Sequence, residues 1–211
     1  LSLHDALPIY APYVVAQNTG AFFETPSFLD SSHSINSAED AEAYLARMED
    51  YADQLDGESE RVRADLSRGV VLPDFLLDKT VSQMRQGRGA PVEEWVVVTS
   101  LATRGASLGR DYAARAQQIA RERIAPALDR QIAALELQRA RTSSDAGVWK
   151  LRRGDEYYAW ALRAGTTTDR LDRALTAARL LIGDSASAVI VAAISAPGSK
   201  SSCCTRIMAG S

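Results

Sequence analysis

Residues 111–141, DYAARAQQIARERIAPALDRQIAALELQRAR, form the longest periodic stretch of the chain, and their reading decides the fold class. Tyr112, Ile119, Ile124, Leu128, Ile132 and Leu135 fall near one face of a helix with 3.6 residues per turn, and Arg and Gln fill the opposite face. Pro126 lies inside the pattern. Its ring removes one ladder hydrogen bond and crowds the preceding turn, so a kink or break is predicted near Arg123 to Ala125.

The same period extends upstream. Ala41, Tyr44, Leu45, Met48, Ala52, Leu55, Val62 and Leu66 recur at steps of mostly three or four, the stripe of one amphipathic helix or of two broken at Gly57. Asn36 and Ser37 are good N-cap residues, and Glu39 and Asp40 in the first turn oppose the positive end of the helix dipole. Gly69 reads as a C-cap, and Pro73 restarts a helix carrying Phe75, Leu76, Lys79 and Met84 that stops near Gly87 and Gly89. Pro91 opens another segment. Its β-branched Val96, Val97 and Val98 lean towards strand, but helix is the preferred reading. Residues 12–30 mix aromatics with Gly20 and Pro26 without sustained periodicity and read as an irregular arm. Residues 142–147 read as a loop, residues 148–151 as a short extended piece, and Asp155 as the cap of a helix reaching about Arg163. No repeat of 20 to 50 residues is visible. The prediction is an all-α fold, an irregular helical bundle forming an incomplete domain.

Composition narrows the function classes. A formal charge of -3 over 211 residues gives no reason to expect nucleic acid. The longest apolar run, residues 186–196, is about half of what a membrane helix needs, so no membrane span is expected. The two cysteines, Cys203 and Cys204, are adjacent and offer neither a disulfide framework nor zinc-ligand spacing. Residues 1–9, LSLHDALPI, match the translation of a short-read sequencing adapter and are read as a non-native scar. That leaves His33 as the single native histidine, read as a solvated or locally bonded loop residue. The sequence contains neither H-E-x-x-H nor a glycine-rich phosphate loop. The carboxylate pairs Glu39–Asp40, Glu93–Glu94 and Asp155–Glu156 are adjacent, diverge on a helix surface, and read as first-turn dipole partners. Trp95, Trp149 and Trp160 read as core or groove lining. The best functional candidates are Tyr157, Tyr158, Thr166, Thr167 and Thr168, a weak set of substrate-cleft residues: three hydroxyls with extended-backbone propensity beside two amphipathic rings.

Seven blocks in order resemble one bacterial family. They are PYVV at 12–15, FLD at 28–30, AEAYLARM at 41–48, PDFLLDKT at 73–80, PALDRQIAAL at 126–135, DAGVW at 145–149 and YYAWALRAGTTT at 157–168. Together they resemble the domain of unknown function 885 family over residues 10–168. The resemblance implies a helical, zinc-dependent peptidase whose His-Glu zinc motif lies downstream of the part seen here. It also implies a peptide substrate and an envelope location. On this reading the chain holds no catalytic residue, metal ligand or cofactor of its own and is inactive alone. One departure is local: Ser144 stands where the family usually has His before the Asp of DAGVW. Residues 169–211 depart altogether, being rich in Ala, Ser and Arg, and read as an out-of-frame or poorly ordered tail. The competing reading is a non-catalytic helical interaction module, for which amphipathic helices without catalytic groups suffice.

Overall fold

The structure is a computed structural model, and it describes residues 13–108 and 111–147 together with residues 150, 151, 154, 156, 158 and 159. The chain divides into two compact units, Tyr13–Ser144 and Leu1–Pro12 with Asp145–Ser211. The first unit carries the helices, which are α1 (Ala21–Ser31), α2 (Ala38–Ser67), α3 (Asp74–Gly89), α4 (Val96–Arg104), α5 (Tyr112–Ile119) and α6 (Ala125–Glu136). Short 3-10 turns stand at Val92–Glu94, Ala106–Leu108 and Leu137–Ala140. Among the described residues the only β-type pairing is an isolated bridge between Ala16 and Thr19. The all-α expectation holds.

The start of α2 follows from its sequence. The Ser37 side chain accepts from the Asp40 amide and the Asp40 carboxylate accepts from the Ser37 amide, a reciprocal capping box. Asp40 also accepts from the Asn36 amide, and these bonds to the charged form hold its carboxyl below the ordinary value. No break occurs at Gly57, where a Cβ would meet nothing within 4 Å. The helix ends where Gly69, at φ 81°, turns the chain. The Gly69 amide donates to Leu66 and the Val70 amide to Asp65, which satisfies carbonyls of the last turn.

Two sequence expectations are corrected. Half of the supposed arm is helix α1, which keeps Pro26 inside it. Pro26 and Gly20 gave the loop signal, but Leu29 and Ala21 are fully buried and Glu58 from α2 accepts the Ala21 amide at 2.8 Å. Tertiary contacts thus override the local breakers. The kink or break expected near Arg123 to Ala125 is not a break: the helix widens there into a π turn at Ala120–Ile124, with the Ala125 amide reaching back five residues to the Ala120 carbonyl. A wider turn there lets the chain pass a residue that cannot donate, and α5 and α6 continue as one rod.

Packing directions can be read from the side-chain pairs. Glu42, Asp53 and Asp56 on α2 pair with Arg115, Arg123 and Arg130, so α2 and the rod run parallel. Asp78, Arg85 and Arg88 on α3 meet Arg139, Glu136 and Asp129, so α3 runs antiparallel to α6. Helix α1 runs antiparallel to α2, with Ala21 at Glu58 and Thr25 at Gln54. One apolar core joins them, centred on Leu29, Tyr44, Met48, Leu55, Leu77, Leu101, Ile124 and Leu135. The connection from α2 to α3 is tied down by Gln138, whose side chain accepts the Leu72 amide at 2.8 Å, and by Thr142, whose hydroxyl donates to the Leu72 carbonyl.

Candidate functional site

A cleft of about 290 Å³ opens in the first unit where α1, α3, α4 and α6 converge. Phe22 and Pro26 supply one wall from α1, Met84 the wall from α3, and Val97 and Leu128 the walls from α4 and α6. Tyr51 from α2 also lines it, and burial raises its hydroxyl pKa strongly, so the phenol stays protonated. Trp95 covers one side. It is 9% exposed, and its indole N–H donates to the Ala90 carbonyl at 3.0 Å, which fixes the ring against the start of α4. Core and groove lining, the two readings offered for Trp95 from sequence, are both true of it.

Two polar groups of α3 border this apolar space. Gln83 carries a buried side-chain oxygen, Oε1, that receives no hydrogen bond. Arg88 is engaged by Asp129: Nη2 donates to Oδ2 at 3.0 Å, while Nε stands 3.0 Å from Oδ1 without hydrogen-bond alignment. Gly87, between them in sequence, lines the cleft with open space where a side chain would begin. An apolar pocket with a few convergent polar groups is the usual form of a small-ligand site.

Two polar clusters lie elsewhere in the unit. His33 is 6% exposed, so the bonded part of its sequence reading stands and the solvated part does not. Its Nε2 donates to the Asp40 carbonyl at 3.0 Å, Nδ1 accepts from Arg47, and the ring stands edge-on to Tyr44 at 5.1 Å. With both ring nitrogens engaged, His33 offers no free lone pair to a metal or substrate. The Tyr44 hydroxyl, donating to the Val97 carbonyl, has its pKa pushed up to about 12 chiefly by burial. The second cluster centres on Glu58, which accepts from the Ala21 amide and from Gln131 Nε2, each at 2.8 Å. Burial raises its carboxyl pKa, these hydrogen bonds oppose the rise, and Glu24 adds to it. Gln131 is fully buried, yet its Oε1 has no donor.

Of the residues singled out from sequence as cleft candidates, Tyr157, Thr166, Thr167 and Thr168 lie outside the described residues. Trp149, Trp160, Asp155 and residues 169–211 lie outside them as well. Tyr158 is described: it is helical, partly buried, and burial raises its hydroxyl pKa. Gly154, Glu156 and Ala159 are helical too. Glu93 pairs with Arg121 from a 3-10 turn. Among the described residues no group of three His, Cys, Asp or Glu side chains is placed to hold a metal ion, and no helix is long and apolar enough to cross a membrane. The cleft itself escaped the sequence reading, because Phe22, Tyr51, Met84, Trp95 and Leu128 meet only through tertiary packing.

No curated protein matches the chain. A crystal structure described as that of "the putative lipoprotein from Colwellia psychrerythraea" shares the fold, with a TM-score of 0.74 at 15% identity. The match covers 80% of this chain and 30% of that one, so the chain spans under a third of its neighbour's length. A family model, "Bacterial protein of unknown function (DUF885)", matches residues 2–181, a range wider at both ends than the 10–168 expected from the ordered blocks. With so much of its length matched in a helical framework of the same fold, the chain belongs to the DUF885 family of bacterial proteins.

Proposed function

We propose that this chain is the N-terminal helical part of a larger metal-dependent peptidase or related hydrolase, to which it contributes one wall of a substrate cleft. The observation that carries the proposal is the apolar cleft between α1, α3, α4 and α6. The length of the Colwellia protein supports it, since the stretch similar to this chain is a minor part of that molecule. The described residues do not fit a zinc centre: His33 has both nitrogens occupied, and no carboxylate cluster replaces it. On this reading, zinc ligands and catalytic groups belong to the remainder of the larger protein, this fragment is inactive alone, and the whole protein acts in the cell envelope on peptides.

The test uses the full-length protein carrying this sequence. Stoichiometric zinc by metal analysis, with chelator-sensitive hydrolysis of a mixed peptide pool, is the expected result, because a catalytic zinc needs about three protein ligands and an open position. Absence of both zinc and hydrolysis would overturn the enzyme reading in favour of a helical interaction module.

A further inference from the structure

We draw no further inference here: the strongest candidate, the apolar cleft of the first unit between α1, α3, α4 and α6, belongs to the site already described, and nothing in the structure shows what it holds.

Discussion

Arg104 shows how one side chain can decide the placement of a helix. Helix α1 has no basic residue in its last turn, so no cation of its own faces its carbonyl end. Arg104, at the end of α4, donates to the carbonyls of Leu29 at 3.1 Å and Asp30 at 2.9 Å, and also to the carbonyl of His33 and the hydroxyl of Ser100. Arg47 adds a second cation from α2, over the Phe28 ring at 5.6 Å. Replacing Arg104 by Ala should destabilise the chain by about 2–3 kcal/mol, the scale of charge-assisted bonds left unmade, with Arg104→Lys recovering less than half because one ammonium cannot span those acceptors. Urea unfolding measures both, and a loss under about 0.5 kcal/mol for Arg104→Ala would refute the clamp. The opposite end of α1 depends on Gly20. At φ 109° it occupies a conformation that side chains avoid, and an added Cβ would lie 3.2 Å from the Val14 carbonyl and 3.3 Å from Glu58 Oε2. Gly20→Ala should therefore cost about 1–3 kcal/mol, and an unchanged unfolding midpoint would show that the backbone relaxes there freely.

Element by element, the sequence is most legible where periodicity and caps agree. Ser37 with Asp40, and Gly69 after Leu66, mark both ends of α2 unaided. It is least legible at α1, whose Pro26 and Gly20 look like punctuation until Glu58, 37 residues after Ala21, caps the helix. The cleft is illegible for the same reason, because its walls come from helices distant in sequence. Glu58 also makes the seam between α1 and α2 pH-dependent. Its pKa is raised in the fold by burial, so the folded chain holds this proton more tightly than the unfolded one. The stabilising contribution is then complete below the ordinary glutamate pKa and is lost as pH rises through the folded value. Glu58→Gln should remove that slope and, at neutral pH, fall within about 1 kcal/mol of wild type. The amide oxygen can still accept from Ala21, and its NH₂ can meet Gln131 once that side chain turns its unpaired Oε1 inwards. Stability against pH for wild type, Glu58→Gln and Glu58→Ala would decide the matter. Matching slopes in wild type and Glu58→Gln would mean that Glu58 is not the titrating group.

At the scale of the whole molecule, the arginine pairs of the rod are exposed, and each adds at most a few tenths of a kcal/mol. They set register, while cohesion comes from the buried core shared by the helices. Among the described residues that core draws on residues from Val15 to Leu135, all of them in the unit Tyr13–Ser144. The boundary after Ser144 is chemically meaningful, since the Ser143 carbonyl accepts the Asp74 amide at the start of α3 and Thr142 binds the Leu72 carbonyl. A cut a few residues earlier would release the Asp74 amide and loosen the start of α3, beside exposed Phe75. A chain reduced to residues 13–144 should therefore fold alone, unfolding in one cooperative step within about 1 kcal/mol of the 211-residue chain. Shortening to residues 13–138 should cost about 1–3 kcal/mol more, because it removes these two bonds and the end of the last helical turn. Circular dichroism with urea, on both fragments and the parent, separates the cases. A non-cooperative 13–144 fragment would mean that the second unit completes the core, and equal stability of the two fragments would deny any role to the Thr142–Ser143 tie.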